Sequence, residues 1–348
     1  QLWATGPASL FVLRVALGVA VGSEYAIGAA MLAEFSPRRQ RGASLSSLQT
    51  FWLVGYVIAY FTGYALDANG VPWRWILAST AAVAGLVLLS RLRAPESPRW
   101  LASKGRLDDA LAVVRRHYGE EYGVDDLALE GSAHVRYAVL FGPRYRTRTA
   151  FAATFWTCQI TCAYAILLFM PMIFTSLGIA EGLTADIAIN AATVIGGALG
   201  IYLCWRLARR PLVIWSFVLM TVFLLVMAAY EHVPSWSTLV AFVVFMLVIN
   251  GASNLEFVYP AEMFPTEVRG SAVGFAAATA RIGSVVSAFA LPSLLSTVGA
   301  SWTLAILAAV CACGAVVSAL WAPETRGLSL LESSGVRDLA AAPAAPAD

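Results

Sequence analysis

The chain has 348 residues, of which 59% are hydrophobic and only 13% charged, where an average soluble domain carries about 25% charged residues. With a mean hydropathy of +0.72, that much apolar surface cannot hide in a water-soluble core, so lipid is the solvent for most of the chain. The formal net charge of +2 says little; the placement of the charges says more.

Nine apolar runs, near residues 8–33, 44–65, 73–93, 150–174, 184–204, 211–230, 236–258, 271–295 and 301–321, are long enough for helices crossing about 30 Å of hydrocarbon, which takes about 20 residues. They do not alternate as barrel strands would. Basic residues cluster in every second connection: Arg38, Arg39 and Arg41, then the stretch from Arg91 to Arg148, then Arg206, Arg209 and Arg210, then Arg269, and last Arg326 and Arg337. Of the 23 basic residues, only Arg74 falls on the opposite side, and Arg14 and Arg281 fall inside spans. The positive-inside rule makes the basic side cytoplasmic. A C-terminus on that side after nine spans puts residue 1 outside, with no signal peptide before it,.

An internal repeat accounts for this. Ala33-Glu34 with Pro37, Arg41 and Gly42 matches Ala261-Glu262 with Pro265, Arg269 and Gly270, and the two stand 228 residues apart. Pro95-Glu96 and Pro323-Glu324 keep the same offset. A parallel repeat of this kind builds two-halved transporters. Spans 1–3 match spans 7–9, so spans 4–6 want partners upstream. The expected whole is an all-α bundle of twelve spans, nine of them present.

The division that follows is a three-span remainder of the first half over 1–93 and a cytoplasmic loop over 94–149. A six-span second half over 150–330 and a disordered tail over 331–348, rich in Ala and Pro, complete it,. Within the loop, residues 107–114 have the spacing of a short amphipathic helix. The five cysteines all lie in apolar runs. They form neither a disulfide framework nor a metal-ligand pattern, and read as small buried packing residues.

These stretches resemble the major facilitator superfamily, in its sugar-porter-like and organic-ion branches. Pro95-Glu96-Ser97-Pro98-Arg99 and Pro323-Glu324-Thr325-Arg326-Gly327 resemble the signatures after the sixth and twelfth family helices. Tyr259-Pro260-Ala261-Glu262 resembles the junction of the tenth and eleventh, and Arg14 with Gly18 resembles the fourth-helix motif. The loop Trp205-Arg206-Leu207-Ala208-Arg209-Arg210 departs from the family pattern, with Asp and Gly both replaced. Of the residues that bind sugar hydroxyls in the seventh family helix, Gln159 is kept, while Cys158 and Tyr164 stand at the other two places.

Four charges fall within spans: Arg14, Glu24, Glu256 and Arg281. Each costs roughly 2.5–3.5 kcal/mol at mid-depth and calls for a partner or a water-filled cavity. Arg281 resembles the arginine with which organic anion transporters bind substrate charge in their eleventh helix; the other reading is a fixed pair with Glu24 or Glu256. Glu24 is the leading proton carrier, with Arg14 as its possible partner. Glu256 is expected near the cytoplasmic end of its helix, within reach of water. Asn250 and Asn254 share one helix face and serve either substrate or helix contacts. The pairs Glu34–Arg41, Glu262–Arg269, Glu96–Arg99 and Glu324–Arg326, together with Arg206, are expected to latch the halves at the cytoplasmic face.

No nucleophile–base set, phosphate loop or metal spacing appears, and the scattered arginines are topology signals rather than a nucleic-acid surface. The expected protein is a monomeric secondary transporter in the cell (inner or plasma) membrane, with no enzymatic activity and no cofactor. It would move a small organic anion with protons by alternating access. A sugar or polyol porter is the second reading, and a transport-inactive sensor or scaffold the third.

Overall fold

The computed structural model describes residues 2, 4–35, 41–92, 95, 96, 98, 101, 104–118, 137–176, 183–229, 235–264 and 266–325. Within its helices, some side chains fall outside the description, among them Glu24, Glu34, Arg41 and Arg269. Arg99, Arg326 and the expected tail lie outside it altogether.

The described secondary structure is helical. The helices are α1 (Pro7–Phe35), α2 (Arg41–Ala68), α3 (Trp73–Arg91), α4 (Leu107–Tyr118), α5 (Arg146–Ser176) and α6 (Leu183–Arg206). They continue as α7 (Arg209–Ala228), α8 (Ser235–Ala252), α9 (Leu255–Met263), α10 (Thr266–Thr297) and α11 (Gly299–Trp321). Eight described helical stretches meet the length and hydropathy of a membrane span, and Pro7–Gly22 adds a shorter apolar one. By these spans the protein is multi-pass.

The chain divides into two compact units, one of residues 1–41 and 54–134, the other of 42–53 and 135–348. In the first, Gly70 takes a left-handed φ of +72°, which lets α2 stop and Pro72 open α3,. The loop helix expected at 107–114 forms as α4. Its apolar Ala110 and Val114 are buried, while Asp108 and Asp109 sit in its first turn, where the helix dipole favours acids.

The second unit carries most of the core. Neighbouring helices run in the order α10, α5, α11, α7, α8, α6. Small residues bring their backbones together. A Cβ on Gly200 would strike the Gly251 carbonyl and the Asn254 amide, and one on Gly196 would strike the Leu247 backbone, so α6 lies directly on α8. Gly314 of α11 faces the Phe217 ring of α7 in the same way. Phe151, Phe155, Phe217 and Tyr259 join α5, α7 and α9, with ring centroids 5.3 Å apart for Phe151–Tyr259 and 6.2 Å for Phe155–Phe217. Each such pair adds about 0.5–1.5 kcal/mol to its area burial.

Two spans are less regular than their apolar runs predict. α5 is kinked at Phe169, where φ is −118°, two residues before Pro171, which has no N–H to give the helical ladder. The expected continuous span over 236–258 breaks at Ser253 and Asn254, and α9 begins beyond. Asn254 donates its amide to the carbonyls of Asn250 and Gly251 at 3.4 and 3.2 Å, a local alternative to the helical ladder.

Candidate functional site

The break between α8 and α9 gathers the polar residues of the second unit's interior. Asn254, fully buried, also reaches across to the Gly197 carbonyl of α6 at 3.1 Å. Asn250 donates to the Met246 carbonyl at 2.7 Å and lies 3.5 Å from the Thr193 hydroxyl. From α5, Gln159 donates to the Ile249 carbonyl at 3.3 Å. Both Gln159 and Asn254 are 0% exposed, and among the described residues the Gln159 Oε1 and Asn254 Oδ1 acceptors have no hydrogen-bond partner. A buried acceptor without a donor costs about 1–3 kcal/mol, and each of these two retains the capacity to accept a hydrogen bond.

Glu256 is the second residue of α9, two positions beyond Asn254. The expectation that it would reach water is corrected here: the residue is only 4% exposed. Trp156 of α5, itself buried, packs edge-on against the neighbouring Phe257 ring with centroids 5.7 Å apart. Arg281 stands midway along α10 and is exposed. Its Nη1 donates to the Tyr164 hydroxyl of α5 at 2.9 Å, and its guanidinium carbon lies 5.9 Å from that ring's centroid. α5 therefore supplies an acceptor to the base. Gln159, Tyr164, Asn250, Asn254, Glu256 and Arg281 all belong to the second unit. Arg14 is exposed on α1, and Glu24 belongs to the same helix with its side chain outside the description.

Where α7 begins and α9 ends, beside the segment after α11, a second cluster ties three segments of the same unit. Arg209 holds Glu262 two-pronged, Nη2 to Oε1 at 3.1 Å and Nε to Oε2 at 3.2 Å, and the Thr325 hydroxyl donates to the same carboxylate at 2.7 Å. The Glu324 carboxylate accepts the backbone N–H groups of Arg209 and Arg210 at 2.9 and 3.1 Å. It thereby caps α7, whose own N-cap residue Ala208 has no side-chain hydrogen bond to offer,. Arg209 also reaches the Cys204 carbonyl, and Tyr259 donates to the Pro323 carbonyl.

Arg206, expected in this cluster, is elsewhere. It closes α6 and stacks on Trp205 and Tyr202, 5.0 and 5.8 Å from their centroids. Three residues further on, at the start of α7, Arg209 faces the acids instead. Sequence reading missed Arg209, Arg210 and Thr325, although the run Arg206-Leu207-Ala208-Arg209-Arg210 contained the signal. Glu96 lies 3.7 Å from Arg106, both more than half exposed; its expected partner Arg99 is outside the described residues.

Four of the cysteines are buried and Cys313 is exposed, all of them as free thiols. Cys162 of α5 and Cys311 of α11 pack with their sulfurs 3.3 Å apart.

Comparison with known proteins agrees with the helical arrangement. The family described as sugar (and other) transporter matches residues 1–335. The inner membrane metabolite transport protein YgcS of Escherichia coli (strain K12) is 41% identical over 339 residues, covering 97% of this chain and 75% of that protein. The chain belongs to this transporter family.

Transporters further from it keep the same pattern. The major myo-inositol transporter IolT of Bacillus subtilis (strain 168) is 28% identical, over 92% of this chain and 72% of that one. The structure of the proton:xylose symporter XylE of E. coli, bound to 6-bromo-6-deoxy-D-glucose, shares the fold at a TM-score of 0.74 with 21% identity. That match covers 88% of this chain and 70% of that chain. The transporter family replaces any enzymatic reading.

Proposed function

We propose that this transporter moves a small organic anion together with protons, by alternating access around a midplane site. The observation that carries the reading is Arg281, an exposed guanidinium at the middle of a membrane span, oriented by Tyr164. An arginine at that depth needs a compensating negative charge, and its fork suits a carboxylate better than an ammonium would. Proton carriage falls to Glu24, with Arg14 on the same helix, or to Glu256. The cluster of Arg209, Glu262, Glu324 and Thr325 serves as the cytoplasmic lock of its half. The protein works as a monomer in the cell membrane with its C-terminus cytoplasmic.

The second reading is a sugar or polyol porter. It is favoured by the free acceptors of Gln159 and Asn254 and by the names of IolT and XylE.

Counterflow in proteoliposomes separates the two. Labelled carboxylates and labelled sugars are offered to wild type, Arg281→Ala and Gln159→Ala. The anion reading expects carboxylate exchange that Arg281→Ala abolishes. Sugar exchange that depends on Gln159 and survives Arg281→Ala would overturn it.

A further inference from the structure

Two thiols meet where the middle of α5 lies on α11. Cys162 and Cys311 are each 0% exposed, and their sulfurs stand 3.3 Å apart although the residues are 149 positions apart in the chain. The contact has a direction. The Cys311 thiol donates to the Cys162 sulfur, and the Cys162 thiol donates in turn to the Leu307 carbonyl of α11 at 3.5 Å. Thiols are weak donors and weak acceptors, so hydrogen bonding adds little to this contact. A buried free cysteine packs as a small hydrophobe, and what sets it apart from alanine is the chemistry of its sulfur.

The position on α5 matters as well. Cys162 lies between Gln159 and Tyr164 in the chain, the residues by which α5 reaches α8 and Arg281. Whatever fixes Cys162 also fixes the stretch of α5 that carries them.

We propose that Cys162 and Cys311 form a modification site, a dithiol that an uncharged hydroperoxide closes to a disulfide, stapling that stretch of α5 to α11. The hydroperoxide first oxidises one of the two thiols to a sulfenic acid, and is itself reduced to an alcohol as its O–O bond breaks. The partner sulfur then attacks the sulfenic sulfur. An S–S bond forms, the S–O bond breaks, and the hydroxyl leaves as water with the proton of the attacking thiol. Two electrons have passed from the thiol pair to the hydroperoxide. A disulfide bond is about 2 Å long, so the sulfurs need to close by only about 1 Å.

Burial selects the oxidant. Enclosed thiols are inert to reagents that work from water, whereas a neutral, lipid-soluble hydroperoxide dissolves in the apolar phase around the spans.

The experiment treats the purified detergent-solubilised chain with cumene hydroperoxide. Free thiols are then alkylated in denaturant, and the peptides are mapped by mass spectrometry with and without dithiothreitol. Wild type is expected to lose the thiols of Cys162 and Cys311 and to yield a reducible peptide pair that joins them. Its melting temperature should rise by roughly 5–15 °C, because the bond closes a long loop, and should fall back on reduction. Cys162→Ser and Cys311→Ser should each lose the cross-link and the rise, whereas Cys158→Ser and Cys313→Ser should keep both. Cys162→Ala and Cys311→Ala serve if either serine disturbs folding, and the wild-type peptide map needs no variant.

Both thiols free after treatment, or oxidised only to sulfinic or sulfonic acid, would overturn the proposal. So would a cross-link that runs through Cys158 or Cys313 instead. A Cys162–Cys311 cross-link without a rise in melting temperature would overturn the staple.

Discussion

Helix α3 of the first unit and the span of α8 and α9 in the second both have the hydropathy of membrane helices but differ in what they bury. In the span Trp73–Arg91 no position is buried, whereas 61% are buried in Trp236–Pro260. Among the described residues the difference shows at the glycines. Gly85 of α3 has nothing within 4 Å of where a Cβ would stand, whereas Gly196 and Gly200 of α6 lie against the backbone of α8. Apolar length suits a helix to lipid; close packing against a neighbour takes a matched surface as well.

The repeat sharpens the same comparison. Pro95-Glu96 and Pro323-Glu324 are equivalent in sequence, yet Glu324 caps α7 while Glu96 meets an exposed Arg106 across 3.7 Å.

The largest effect should come from filling a contact that only the second unit has. Gly200→Val drives a branched side chain into the Gly251 carbonyl and Asn254, and should cost about 3 kcal/mol, the upper end of overpacking. Gly85→Ala, its counterpart in the first unit, should raise stability by about 0.5–1 kcal/mol through helix propensity. Thermal denaturation of the purified proteins, with the folded yield of each, checks both. Equal loss in the two variants would mean that the comparison is mistaken.

Next comes the acid that the Arg209 fork grips. Glu262→Ala leaves a guanidinium only 11% exposed without that partner, and an unsatisfied charged group should cost about 2 kcal/mol. Glu262→Gln, which keeps an acceptor, should recover part of it. Their melting temperatures should fall in that order.

A smaller effect separates the two repeat-related acids. Glu324→Ala uncaps α7 and should cost about 1 kcal/mol, whereas Glu96→Ala should stay within about 0.5 kcal/mol, as exposed ion pairs do. Chemical denaturation compares them, and a larger loss at Glu96 would break the asymmetry drawn here. The smallest effect belongs to Arg206→Gln. Loss of stacking on exposed aromatic rings should cost about 0.5 kcal/mol, and a loss as large as that of Arg209→Gln would return Arg206 to the lock.

Much of the fold is legible in the order of residues alone. The spans, the parallel repeat and the family signatures are local properties of the chain. Transfer into lipid adds up residue by residue, and a motif is a matter of spacing. The site is legible in composition but not in pairing. Arg281, Tyr164, Gln159, Asn250 and Asn254 can each be singled out as a polar group in an apolar run. That Tyr164 orients Arg281, and that Glu256 is enclosed rather than wetted, cannot be read there.

The physical reason is rotation. Each residue turns a helix by about 100°, and the phase restarts where one helix ends and the next begins: Arg206 closes α6 and stacks on its own helix, whereas Arg209 opens α7 and grips Glu262. The turn at Ser253 and Asn254 likewise separates Glu256 from the helix that carries Asn250. The sequence by itself determined how many apolar helices there are, which side is basic and which family they belong to. Only the tertiary structure decided which acid meets which base, because that depends on helix phase, kinks and packing contacts between residues far apart in the chain.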